Sequence, residues 1–227
     1  MNAVITGDLV HFTELLKEDK LQLLGNINLS LKQWAKDFEM EYEFYRGDSF
    51  QCFLEHPHYS LRLALIIKAY IKSLNNLEEG SVDHPTTGKK TVVFTLMEFD
   101  SRISLGIAGN NFRTESLAMS NGDAFVLSGH NLDRLKDSRY KIGIDTDDQN
   151  KRELETGAVL LDHIMSRAAA FQSEVIYLKL LGYNETEISK KLEVNQSAIN
   201  QRSTAAGWNA IHTFVERFEE LYPLYYE

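Results

Sequence analysis

Cysteine is all but absent: Cys52 is the only one in the 227-residue sequence. No disulfide can form within the chain, and a reducing cytoplasm is the expected setting. Long apolar runs are missing too. The longest, around Leu63–Ile67, falls far short of the ~20 residues that span a bilayer. The first residues carry no basic stretch followed by an apolar one and a cleavage site, so the expectation is a cytoplasmic chain with no membrane partner. Basic charge is not in excess, the formal net charge being −9. That disfavours a nonspecific nucleic-acid coat but leaves room for a local DNA-reading element. The seven histidines form no zinc-type spacing with cysteine or glutamate. No Gly-rich phosphate loop of Walker type occurs, and no serine or cysteine has a nucleophile setting.

What remains is an ordinary globular composition, 43% hydrophobic and 25% charged, long enough to bury a core. Met1 to Ile5 reads as the start of an apolar strand, broken at Gly7-Asp8, with helical spacing from His11 onward. A carboxylate at a strand end, next to a helix N-terminus, can hold the cation that accompanies a phosphate. Gly25-Asn26 marks a break between two helices. Glu41–Phe44 and Ser49–Leu54 form a hairpin with Arg46-Gly47-Asp48 at its tip. Pro57 opens another helix, and the polar stretch Asn75–Lys90 reads as a loop. Thr91–Phe99 and Arg102–Ala108 then form a strand pair, Gly122–Leu135 a helix and Tyr140–Ile144 a last strand. In such an α+β layout, with helices on one face of a mainly antiparallel sheet, Asp8 and Asp48 can meet. Two carboxylates there suit a Mg²⁺ ion beside a nucleotide. His11 and Arg46 are placed to contact its phosphates, although capping and a salt bridge are the simpler roles. Cys52, inside a strand, is expected to be buried and inert.

Gly7-Asp8-Leu9-Val10-His11-Phe12-Thr13 resembles the first metal-binding segment of the class III nucleotidyl cyclase fold, and Arg46-Gly47-Asp48-Ser49-Phe50 its second. Ser101–Gly109 is similar to a later strand of that fold, and Gly122-Asp123-Ala124-Phe125-Val126 to the following helix start. The whole chain resembles the bacterial SatD-like family. The cyclase resemblance implies a ferredoxin-like, cyclase-like antiparallel sheet domain, Asp8 and Asp48 as metal ligands, and nucleotide contacts at Leu9, His11, Phe12, Thr13 and Arg46. The family's Asn and Arg, which orient the sugar and the phosphates, fall on Val126 and His130. Neither side chain can do that work, so cyclisation is not expected. Asn131 and Arg134 lie nearby at a different spacing.

From Arg152 the period becomes that of long helices, the first expected to run unbroken past Leu178. Gly182 ends it. Asn184, with Glu187 three residues on, opens a short helix in capping-box fashion. Glu193-Val194-Asn195 is a tight turn, and Asn195 caps a polar helix. The pattern resembles the helix-turn-helix of bacterial regulators, with Ile188, Val194 and Ile199 at the internal positions. Gln196, Ser197, Asn200, Gln201 and Arg202 then form the DNA-facing side, amides suiting adenine and Arg suiting guanine or phosphate. Beyond Trp208, an apolar stripe and the aromatic ending Leu221–Tyr226 suit core packing or a homodimer interface.

The expected architecture is therefore an α+β, cyclase-like domain over residues 1–147 and an all-α helix-turn-helix domain over 148–227. The expected function is a DNA-binding regulator whose first domain senses a nucleotide or metal and is not an enzyme. The alternatives are a divergent Mg²⁺-dependent nucleotidyl cyclase or other phosphoryl-transfer enzyme, and a protein–protein adaptor.

Overall fold

A computed structural model describes residues 1–45, 47–74, 76–83, 90–97, 99–109 and 116–224, with only the backbone for 76–83 and 90–97. The chain runs β1 (Asn2–Leu9), α1 (Lys17–Asp37), β2 (Met40–Tyr45), β3 (Ser49–Leu54), α2 (Ser60–Ser73), β4 (Asn76–Asp83), β5 (Lys90–Met97) and β6 (Ser101–Ala108). It continues α3 (Asp123–Lys136), β7 (Ile142–Thr146), α4 (Lys151–Arg167), α5 (Ala170–Leu180), α6 (Glu185–Leu192), α7 (Gln196–Ala205) and α8 (Trp208–Leu221). The fold is α+β. No helix among the described residues is long and apolar enough to cross a membrane.

Five strands form one sheet in the order β2-β3-β1-β6-β7. The first four pair antiparallel, but β7 runs parallel to β6, so the sheet is mainly antiparallel, as expected, with one parallel pair at its edge. The intervening helix α3 supplies the long crossover that a parallel pair needs. Residues 76–83, expected in a loop, instead pair with β5 in a separate two-stranded ribbon. Polar composition hid a strand whose backbone bonds do not depend on apolar side chains. Gly25 does not break α1: the space around it is open, and one glycine costs a helix only about 1 kcal/mol.

Side chains of β1 alternate between two cores. Ala3, Ile5 and Leu9 join the large core with α1 and α2, whereas Val4 packs with Phe53, Ala108, Ala124 and Phe125 under α3. Helices therefore cover both faces, not one. α3 sits close because Gly106 has no side chain: a Cβ there would run into the Ala124 carbonyl and the Ser128 backbone. Within this layer the Thr6 and Ser128 hydroxyls bond at 2.9 Å.

The large core does not stop at the sheet domain. It takes in Leu154 and Leu161 of α4, Ile176 and Leu180 of α5, and Val215 and Phe218 of α8. Apart from Arg62, Tyr70 and Ser73, every residue of α2 is buried. This helix packs against β1 and β6 and also against α5 and α8, as expected of one apolar almost all round. Tyr70 meets the rings of Trp34 on α1 and Tyr177 on α5 edge-on, both at 5.3 Å. The long C-terminal helix is interrupted where an unbroken one was expected: Ala168 and Ala169 are extended, so α5 turns back onto α2.

Two lysines are buried in α2. Lys68 donates to Asp100 at 2.8 Å and to the Ser101 carbonyl at 2.7 Å, and Lys141 reaches Asp100 at 2.7 Å. Lys72 donates to the Met165 and Ser166 carbonyls at the end of α4, at 2.9 and 2.7 Å. Burial pushes the Asp100 carboxyl up, but the Lys68 and Lys141 ammonium groups outweigh it and hold it well below the usual carboxylate range. A carboxyl held low stabilises the fold above its unfolded pKa, and that contribution fades as the pH falls toward the folded value.

Two variants test this packing by urea unfolding. Asp100→Asn strands the Lys68 charge and is expected to cost about 3 kcal/mol at pH 7, the deficit shrinking below about pH 4. Gly106→Ala pushes α3 off the sheet and is expected to cost about 2 kcal/mol.

Candidate functional site

β1 is paired on both sides, to β3 and to β6, and the ladder carries it through Leu9. Gly7-Asp8 is therefore inside the strand and does not end it. Gly7 lies opposite Phe50, whose ring fills the space a Cβ would need. Asp8 lies between Ser49 on one neighbour and Arg102 on the other. Its carboxylate is buried and accepts from Arg102 Nη1 at 3.3 Å. Asp48, at the hairpin tip, joins this corner through its backbone: Leu9 N–H donates to the Asp48 carbonyl at 3.0 Å. Its own carboxylate accepts from the Ser49 hydroxyl at 3.3 Å. The two aspartates thus lie at neighbouring strand ends, with Arg102 beside the first.

The expected nucleotide contacts are distributed differently. The Leu9 side chain is in the core, and the Val10 N–H is taken by the Asp100 carbonyl at 2.9 Å. His11 adopts the left-handed region at φ 57°, and its ring pairs with Glu14 at 2.9 Å. Phe12 packs on the core with Lys20 over its ring, and the Thr13 carbonyl accepts from Lys20 at 3.0 Å. Residues 12–14 make a single 3-10 turn, and Leu15 is extended again. The first α-helix starts only at Lys17, so no helix N-terminus stands next to Asp8. Arg46 lies outside the described residues.

On α3, Val126 and His130 are exposed. Asn131 is turned inward, and Arg134 donates to it at 3.2 Å and to Asp145 at 2.8 Å. Asp145 also pairs with Lys151 at 2.7 Å. The Asn131–Arg134 pair is therefore committed to β7 and α4.

At the Asp8–Asp48 corner the expected metal ligands already have protein partners. Mg²⁺ wants a near-ideal octahedron of oxygens, and one of the two carboxylates already faces a guanidinium. The next acidic side chain along the edge, Asp100, is held by two lysines. Among the described residues, no three His, Cys, Asp or Glu side chains converge as a metal site requires. Arg102 was the residue missed in the sequence. The one available signal was its charge at the head of an otherwise uncharged strand.

The helical unit follows its local code closely. Gly182 has φ 93° after α5. The Asn184 side chain accepts from the N–H groups of Thr186 and Glu187, while Glu187 accepts from Asn184 N–H at 2.8 Å. Glu193 turns through the left-handed region, and Asn195 caps α7 by accepting from Ala198 N–H at 2.8 Å. Ile188 and Ile199 close a core with Val175 and Leu178, flanked by Leu192 and Val194. With those faces buried, α7 leaves Gln196, Ser197, Asn200 and Gln201 exposed in one row. Arg202 stands apart: it lies over the Phe171 ring at 5.3 Å. Burial raises the Glu174 carboxyl, and the Arg202 charge opposes that rise.

No family model, curated protein or solved structure matches the chain. Function must be read from the geometry.

The Asn195 cap is local enough to test by itself. Asn195→Ala is expected to cost about 1 kcal/mol, read as faster hydrogen exchange in α7 with little change in the sheet.

Proposed function

We propose that this chain is a DNA-binding regulatory protein in which α6 and α7 form a helix-turn-helix and α7 reads the major groove. One observation carries this reading: the row Gln196, Ser197, Asn200 and Gln201 is exposed on a helix whose opposite face is locked into its own small core. The Ser197 hydroxyl donates to the Asn195 cap at 2.7 Å, but the three solvent-facing amides have no packing role there, and amides pair with adenine edges. The left-handed Glu193 and the capped start of α7 support the tight turn that such a unit needs.

We read the first five-stranded layer as a ferredoxin-like, cyclase-like domain that senses a nucleotide without turning it over. In support, β1, α1, β2, β3, α2 and β6 follow one another with sheet order β2-β3-β1-β6, the β4–β5 ribbon being inserted. Against turnover, the α3 positions that would orient sugar and phosphate are Val126 and His130. Charge around α7 is close to balanced, since Glu185, Glu187 and Glu193 offset Lys190, Lys191 and Arg202. A single copy would gain little from phosphates, so the DNA-bound form is proposed to be a homodimer engaging two half-sites.

Selection from a pool of randomised duplex DNA, followed by gel shift of the full chain over a salt series, tests the reading. Binding that weakens steeply with salt is expected. Asn200→Ala or Gln201→Ala is expected to cost about 1–3 kcal/mol on the selected site where it contacts a base. Absence of salt-sensitive binding, with and without added ATP or GTP, would rule the regulator out.

A further inference from the structure

We propose that Arg102 is the resident cation of the Asp8 corner and closes it to divalent metal ions. The inference concerns the sheet alone and holds whether or not α7 binds DNA. Asp8 and Arg102 are directly opposed across the β1–β6 ladder. Asp8 is also paired on its other side, to Ser49 of β3, and β6 is paired to β7 from Ile103 onward, which holds the two strands in this register. The Asp8 and Arg102 side chains are only 10% and 25% exposed, which shields their attraction from water and salt. A carboxylate in that position meets a fixed guanidinium before it meets any solvent cation.

The surrounding charge leads to the same conclusion. Around the start of β6 stand two acidic groups, Asp8 and Asp100, and three basic ones, Arg102, Lys68 and Lys141. Lys68 and Lys141 both point at Asp100, at 2.8 and 2.7 Å, and Arg102 at Asp8, at 3.3 Å. Asp8 and Asp100 thus already face three cationic groups, which leaves no uncompensated negative charge on that pair to draw in a divalent ion. For a metal to enter, Arg102 would have to swing out and take its charge into solvent. The metal would then find the Asp8 carboxylate, with most of the remaining ligands supplied by water. Any ligand taken by this corner is therefore bound without a divalent cation.

The test is Mn²⁺ titration of the full chain, read by electron paramagnetic resonance, on wild type, Asp8→Asn, Arg102→Gln and the double variant. Wild type and Asp8→Asn are expected to give the same binding curve. Arg102→Gln is expected to gain a site at least about tenfold tighter, which Asp8→Asn then removes. A wild-type Mn²⁺ site that disappears in Asp8→Asn overturns the proposal. So does an Arg102→Gln variant that is folded by circular dichroism and gains no site. Should Arg102→Gln not fold, Arg102→Met, which keeps the length and apolar stem of the side chain, takes its place in the same comparison.

Discussion

The fold depends on satisfying two ammonium groups inside α2. An unpaired buried charge is prohibitively costly, so Lys68 and Lys72 can occupy a helix that is buried nearly all round only if their partners arrive together. Lys68 requires Asp100 and the start of β6, and Lys72 requires the last carbonyls of α4. Those carbonyls lie in the last turn of a helix, where a cation is also favoured by the helix dipole. One helix thus joins the head of a central strand to the tail of a helix nearly a hundred residues later. The extended Ala168-Ala169 step follows directly after this clamp, and it sends α5 back along α2.

That constraint limits how any signal could pass between the sheet and the α4–α8 helices. Freeing them would expose the apolar faces of Val215, Phe218 and Leu180 and strip α2 of Lys72's acceptors. It would also break the two-pronged Arg62–Glu219 pair, whose bonds are 2.6 and 3.0 Å, and the Arg62 bond to the Leu180 carbonyl. His58 further ties the start of α2 to the Tyr222 carbonyl at 2.9 Å. A swing of these helices as a whole is therefore much more costly than a small repacking along α2, or a change in how two chains associate. Regulation by domain release is the least economical mechanism for this architecture.

Local signals were legible in the sequence and long-range ones were not. Gly182, the Asn184–Glu187 box and the Asn195 cap act within four residues of themselves, so their spacing alone located α6 and α7. The β2–β3 hairpin was equally local. By contrast, the polar residues 76–83 concealed a strand, because pairing there is decided by backbone partners and not by side-chain alternation. The parallel β6–β7 pair was in principle readable: a helix as long as α3 between two strands is the connection that parallel pairing demands. The covering of both sheet faces was likewise implicit in β1, where Val4 and Phe53 belong to the face opposite Ile5 and Cys52. Cys52 itself is buried as expected, and burial pushes its thiol up, away from the reactive thiolate.

The Gly7-Asp8 pair shows how register changes the meaning of a motif. In isolation a glycine and an aspartate after an apolar run suggest a turn that cradles a phosphate and its metal. Inside a strand paired on both edges, the glycine admits the Phe50 ring and the aspartate answers whatever stands opposite. Position 102 is 94 residues away, and nothing near Asp8 in the sequence announces it. Had that position held a neutral side chain, the Asp8 carboxylate would carry an uncompensated charge, and a cation would be the natural way to relieve it. With arginine there, the relief is already built into the ladder. The chemistry of Asp8 is thus set by the β1–β6 register, and the residues that flank it in the sequence only bring it to the sheet.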